Sequence, residues 1–112
     1  MSERMPQPTD PVATGFVEAV LVVVADIPSG QVATYGDVAA LLGTRAARAV
    51  GTVMARYGSD APWWRVVRAD GRPPAGHAAS ARPHYDAEGT PLVPSGDDDG
   101  YRIDLRRARW RA

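Results

Sequence analysis

The stretch "APWWRVV", Ala61 to Val67, sets two tryptophans side by side after a proline and before an arginine, in a chain of 112 residues without cysteine. An indole is a hydrogen-bond donor only, so it serves neither as nucleophile nor as base; it offers a broad apolar face for stacking. Neighbouring side chains of an extended segment point to opposite faces, which predicts one tryptophan facing the core and the other a cleft. An aromatic wall in a cleft is how proteins hold a base taken out of the nucleic-acid stack. The bland alternative is that both rings only supply core area.

Other chemistry finds little support. Without cysteine there is no disulfide, thiolate nucleophile or thiolate metal site. His77 and His84 stand without cysteines or paired carboxylates beside them, so no metal is expected. Asp97 to Gly100, "DDDG", lacks the remaining spaced oxygen ligands of a calcium loop. Ser29, Ser59, Ser80 and Ser95 sit in loop-like sequence with no nucleophile-elbow context, and no phosphate-binding glycine loop is present. A hydrolase reading therefore has nothing to stand on, and no cofactor is expected.

Positioning elements come next. Phe16, Val17, Val20, Leu21, Val24 and Ile27 recur at three- and four-residue steps and predict an amphipathic helix ending before "IPSG". In "TYGDVAALLG", Thr34 and Asp37 resemble a capping box and Gly43 a helix stop. A second helix is expected from Thr44 as cap to Gly58 as stop, burying Val50, Val53, Met54 and Tyr57. Arg45, Arg48, Thr52 and Arg56 fall on its other side. Ala46, Ala47, Ala49 and Gly51 leave that outer face nearly flat, although an interior glycine costs about 1 kcal/mol relative to alanine. A flat face admits a close neighbour, either another helix or a nucleic-acid groove. Two short helices around a glycine turn make a helix-turn-helix. "RVVRADGRP" predicts a strand, an Asp-Gly turn and a poor second strand, a small wing; a short helix is expected near 80–88, a strand at "YRIDL" and a basic tail at "RRARWR". The fold class is mainly α, a winged helix-turn-helix with a small β wing. Residues 1–13 are expected to be a disordered lead-in, and 14–112 one domain.

All thirteen basic residues are arginine, and formal charge is zero only in sum. Residues 1–44 carry −4, 45–82 carry +5, 83–101 carry −5 and 102–112 carry +4. The middle block is a local basic surface suited to an anionic partner. No signal peptide or membrane span is legible, since "AVLVVVA" is far shorter than the roughly 20 residues required. The expectation is a cytoplasmic monomer, nucleoid-associated if bacterial.

Taken in order, "IPSGQVATYGDVA", "RAARAVG" and "PWWRVV" resemble the DNA-binding domain of O6-alkylguanine-DNA alkyltransferases, over roughly Phe16 to Gly76. In that family the last segment reads Pro-Cys-His-Arg-Val, where cysteine accepts the alkyl group and histidine activates it. Here Trp63 and Trp64 stand in those two places, and dealkylation needs a thiolate that an indole cannot replace. The pattern looks like the alkyltransferase-like proteins, which bind alkylated guanine without repairing it. The resemblance implies duplex DNA containing O6-alkylguanine as partner, base flipping from the minor groove, and a hand-over to nucleotide excision repair proteins. It implies DNA contacts from Thr34, Tyr35, Gly36, Arg45, Ala46, Ala47, Arg48, Gly51 and Arg56, with Tyr35 pressing on the lesion's phosphate and Arg48 filling the vacated stack. It implies an alkylated-base pocket of Tyr35, Pro62, Trp63, Trp64, Arg65, Val66 and Val67. Gly76 stands where the family often has a large pocket side chain, with Arg72 or His77 as substitute. The rival readings are a regulator reading sequence in the major groove and a transferase with another nucleophile.

Overall fold

In the computed structural model, which describes the backbone from Pro11 to Ala112 and side chains from Gly15 onward, the first apolar stripe forms α1, Pro11–Asp26. Val20, Val24 and Ile27 are buried, and Phe16, Val17 and Leu21 pack against them. The helix takes in residues 11–13, which were expected in the lead-in; proline suits a first helical position, where its missing N–H has no partner anyway. Residues 1–10 of that lead-in lie outside the described residues.

The capping box is present as expected. Strand β1, Ala33–Thr34, runs directly into α2, Tyr35–Leu41. Thr34 Oγ1 accepts from the Asp37 N–H and Asp37 Oδ2 accepts from the Thr34 N–H, both at 3.0 Å. Gly43, at φ +74°, ends the turn of chain after α2. The next helix, α3, is shorter than expected: it runs Ala47–Tyr57, with Ala46 at the cap position and no side-chain cap. Thr44 instead closes a local turn, its hydroxyl accepting from the Ala46 N–H at 3.2 Å, so Arg45 and Ala46 precede the helix. Val50, Val53 and Met54 are buried, but Tyr57 is exposed, because α3 stops at Gly58 and its last turn has nothing packed over it. A Cβ on Gly58 would lie 2.6 Å from the Met54 carbonyl oxygen, so only glycine fits that exit.

A 3₁₀ turn, Trp63–Arg65, leads into β2, Val66–Val67, which pairs parallel to β1 with Ala33 opposite Val66 and Thr34 opposite Val67. The wing expected at 65–74 is therefore not a hairpin: Arg68 to Arg72 form only a tight turn, since Pro73 and Pro74 have no N–H for a ladder. The antiparallel hairpin lies later in the chain, β3 Leu92–Pro94 with β4 Tyr101–Ile103. Between the Arg68–Arg72 turn and this hairpin, α4 spans Ala78–Glu88. The C-terminal "RRARWR" is not a free tail. It forms α5, Leu105–Ala108, and then pairs with Val32, the residue before β1.

Two hydrophobic clusters fill the interior. The larger joins α1, β1, α2, α3 and Val66; the smaller joins Val32, Val67, Ala81, Tyr85, Tyr101, Ile103 and Ala108. Trp63 packs against both, at their seam. Among the described residues no helix is long and apolar enough to cross a membrane.

Candidate nucleic-acid interface

The two tryptophans occupy different environments, but not by strand alternation. Pro62 cannot donate and opens a 3₁₀ turn in which the Arg65 N–H bonds the Pro62 carbonyl at 3.0 Å. Successive side chains of a 3₁₀ helix diverge by about a third of a turn, which sends neighbouring rings different ways. Their planes stand at 87° with centroids 5.7 Å apart.

Trp63 walls a half-open cavity of about 440 Å³, inside the range of about 300–1,000 Å³ typical of small-ligand sites. Tyr35 from the start of α2 faces it, and Pro74, Ala75 and His77 close another side. The fourth side is a stripe of α3, Gly51, Met54, Ala55 and Gly58, at helical three- and four-residue steps. Arg48 stands one turn before Gly51 on that same stripe, exposed at its head. Gly51 leaves the stripe without a side chain beneath Tyr35; a Cβ there would come to 3.9 Å from the tyrosine ring. Burial raises the Tyr35 phenol above its ordinary range, against a smaller opposing pull from Arg68, so the hydroxyl is neutral and able to donate. His77 approaches the Trp63 ring at 5.5 Å and His84 meets its edge at 5.7 Å.

Trp64 faces away from the cavity. Its ring stacks on His84, 3.7 Å between centroids and 10° between planes, and its Nε1–H donates to Glu88 Oε1 at 3.1 Å. Arg65 is turned to the same carboxylate: Nε donates to both Glu88 oxygens at 3.1 Å, Nη2 donates to Oε1, and Nη1 donates to the Ile27 carbonyl at 3.0 Å. The Gly30 N–H makes a third residue donating to Glu88, at 3.0 Å to Oε2, and Tyr85 Oη donates to the Trp64 carbonyl at 2.6 Å. Burial pushes the Glu88 carboxyl upward, but the donors from Arg65, Gly30 and Trp64 together outweigh it and hold it below its ordinary value. Glu88 is thus an ionised, fully engaged acceptor rather than a base. No local signal marks this pairing, because Arg65 and Glu88 are 23 positions apart and no spacing rule links them.

Several expected pocket residues lie elsewhere. Val66 and Val67 are fully buried in the two cores, because β2 pairs with β1 and both its faces are covered. Trp64 and Arg65 form the Glu88 buttress, and Pro62 caps the 3₁₀ turn without lining the cavity. Arg72 pairs with Asp70, Nε to Oδ2 at 2.7 Å, and lines a neighbouring cleft of about 250 Å³ with Arg68 and Asp97 to Asp99. Of the two substitutes for a large residue at position 76, the cavity holds His77. Met54, Ala55, Gly58, Ser59, Pro74 and Ala75 were not anticipated in it; Ser59 makes no hydrogen bond to His77 among the described residues, so no activated hydroxyl is formed there.

The basic block is also sorted by the fold. Arg65, Arg68, Arg72 and Arg82 are each paired with an acid. Arg45, Arg48 and Arg56 are exposed and make no ion pair among the described residues. All three belong to α3 or the residues just before it, where Ala46 is exposed and Ala47 half-buried; Gly36 is exposed at the start of α2. Exposed arginines, a flat helix and an aromatic cavity therefore share one side of the helix-turn-helix, the combination expected of a nucleic-acid surface.

Comparison with known proteins agrees with this geometry. Residues 15–90 match the family described as 6-O-methylguanine DNA methyltransferase, DNA binding domain. A DNA base-flipping protein of Escherichia coli K12 is 44% identical over 100 residues, covering 85% of this chain and 74% of the relative. A DNA base-flipping protein of Vibrio parahaemolyticus is 37% identical over 60 residues, 51% of this chain and 60% of that protein. Crystal structures of Schizosaccharomyces pombe Atl1 in complex with damaged DNA containing O6-carboxymethylguanine, and of S. pombe ATL with DNA, superpose with TM-scores of 0.75 and 0.76 at 25% and 26% identity, each over 98% of this chain and all of theirs. The chain belongs to the family of the 6-O-methylguanine DNA methyltransferase DNA-binding domain, among its alkyltransferase-like members.

Proposed function

We propose that this protein is a non-enzymatic sensor that binds O6-alkylguanine in duplex DNA, swings the damaged base out of the stack and holds it against Trp63. The observation that carries this reading is the cavity of about 440 Å³ walled by Trp63 and Tyr35 at the foot of the Arg48 stripe, in a chain with no thiol. The relatives named DNA base-flipping proteins and the Atl1 complex with damaged DNA support it.

Each residue then has a physical task. The flat run Ala46, Ala47 and Gly51 lets α3 lie close in the minor groove, with Arg45 and Arg56 on phosphates. Gly36 meets the backbone beside Tyr35, which pushes on the lesion's phosphate, while Arg48 enters the stack from the head of the cavity stripe; Thr34, expected among the DNA contacts, is buried and spent on the capping box, so it only launches α2. Extrusion costs a few kcal/mol, less for a poorly paired base. Stacking on an aromatic ring returns about 1–3 kcal/mol per base. The two are comparable, so damage that weakens pairing decides the outcome. The chain has no thiolate to take the alkyl carbon: Trp63 offers an indole in its place, the Trp64 N–H is spent on Glu88, and Glu88 is saturated with donors. The bound lesion is released unchanged and marked for nucleotide excision repair proteins, the protein acting as a cytoplasmic, DNA-associated monomer.

The test is a titration of two duplexes identical but for one O6-methylguanine in place of guanine, at one fixed salt concentration. The expected result is at least about tenfold tighter binding to the damaged duplex, about 1.4 kcal/mol. Equal dissociation constants would favour the sequence-reading regulator. Mass spectrometry of the same mixture should show neither a heavier protein nor altered DNA; a mass gain on the protein would establish a transferase.

A further inference from the structure

The reading above leaves the second basic block, "RRARWR", without a task. In the fold this segment is tied to the strand that launches Tyr35. The Val32 N–H donates to the Ala108 carbonyl at 2.9 Å and the Trp110 N–H donates to the Val32 carbonyl at 2.7 Å, a parallel bridge on the edge of β1 opposite β2. Trp110 packs against the larger core. Arg109 reaches forward along β1 to the first turn of α2, where Nε donates to Asp37 Oδ2 at 2.9 Å and Nη2 to Oδ1 at 2.5 Å. The same Asp37 closes the capping box with Thr34.

This arrangement answers a mechanical problem. Tyr35 rests over Gly51, which has no side chain to hold the ring from the side. The ring packs against the larger core on its inner side, but its placement over the cavity also depends on the backbone that carries it, the junction of β1 and α2. β2 holds one edge of β1 and issues directly from the Trp63 turn. The C-terminal segment holds the other edge and, through Arg109, the first turn of α2. The Arg109–Asp37 pair is too exposed, at 42% and 25% of the side chains, to stabilise the fold by more than about 1 kcal/mol. A two-pronged contact of that kind fixes direction more than it adds stability.

We propose that Leu105–Trp110 is a strap that sets Tyr35 against the cavity, with Arg109 as a positioning residue for lesion recognition. The proposal rests on the damage-sensing reading. It makes the three parallel segments, strap, β1 and β2, one device that fixes both aromatic walls relative to each other.

The full chain with Arg109→Ala is compared with the native protein by melting temperature, affinity for undamaged duplex, preference for O6-methylguanine, and the signal of a fluorescent base analogue beside the lesion at saturating protein. Expected are an almost unchanged melting temperature, unchanged binding of undamaged DNA, and a loss of lesion preference of roughly fivefold or more, the usual size of coupling between two sites, with a weaker flipped-base signal. Asp37→Asn keeps an oxygen for the cap but removes the charge that Arg109 grips, and should show the same loss; it decides the matter if Arg109→Ala does not fold. Either folded variant with native preference and native flipped-base signal would overturn the strap, as would equal losses on damaged and undamaged DNA. A native protein without lesion preference would instead sink the sensing reading and the strap with it.

Discussion

Trp63 and Trp64 are neighbours in sequence and opposites in setting. On the Trp64 side, an indole N–H, a guanidinium, a glycine amide and a stacked imidazole converge on or beside one carboxylate, and nearly every polar atom has a partner. On the Trp63 side, the indole faces an open cavity bounded by small residues and one phenol, and neither its N–H nor the Tyr35 hydroxyl has a partner among the described residues. One half is satisfied and rigid, which holds the other half unsatisfied and ready for a ligand.

The comparison breaks most severely at Glu88. Replacing it by Gln removes the charge under Arg65, whose side chain is 17% exposed against 11% for Glu88. Uncoupling such a partly buried pair should cost about 3 kcal/mol at pH 7, read as a lower urea midpoint at unchanged m-value. The carboxyl is depressed in the folded state, so its stabilisation is present above the ordinary carboxylate range and is lost as pH falls through the depressed folded value. The gap between native protein and Glu88→Gln should therefore close in acid; a gap that stays constant to low pH would show that the charge contributes nothing.

A pair of alanine substitutions sharpens the contrast. Trp64→Ala removes a hydrogen bond to a charged group and two ring contacts, a loss of about 2–3 kcal/mol of stability. Its effect on lesion preference should be the smaller of the two, because the ring does not line the cavity. Trp63→Ala should cost at least as much stability, because its ring packs at the seam of both clusters, and should in addition reduce lesion preference about tenfold, the loss of one aromatic stack. A lesion preference hurt more by Trp64→Ala than by Trp63→Ala in the duplex titration would refute the division of labour.

The smallest effect is expected at Gly51. Alanine is admitted sterically, since its Cβ would meet the Tyr35 ring at an ordinary 3.9 Å, and it should raise stability by about 0.5–1 kcal/mol through helix propensity. The added methyl narrows the cavity and roughens the face of α3, so binding of damaged duplex should weaken modestly. A variant that is more stable and binds as well as the native chain would show that the smooth face is not functional.

Legibility in the sequence followed the range of the interaction. The α1 stripe, the Thr34–Asp37 capping box, the buried Val50, Val53 and Met54, and the helix near 80–88 rest on contacts within a turn or two, and they stand where periodicity and caps put them. The start of α3, the site of the wing and the fate of the C-terminal arginines do not. Thr44 had the chemistry of a cap, but a nearer local turn took its hydroxyl. The Asp-Gly turn had the residues of a hairpin, but Pro73 and Pro74 denied it a ladder, while Pro94 falls at the end of β3, where the strand already stops.

The order of motifs and the missing thiol, both plain in the sequence, determined the family and removed the thiolate route, because residue type alone decides whether a thiol exists. Which tryptophan faces the cavity, which arginines stay exposed and what Glu88 and Arg109 hold were decided only by the tertiary structure. Those outcomes depend on partners 23 and 72 positions apart, and a chain brings such residues together only when its helices and strands pack.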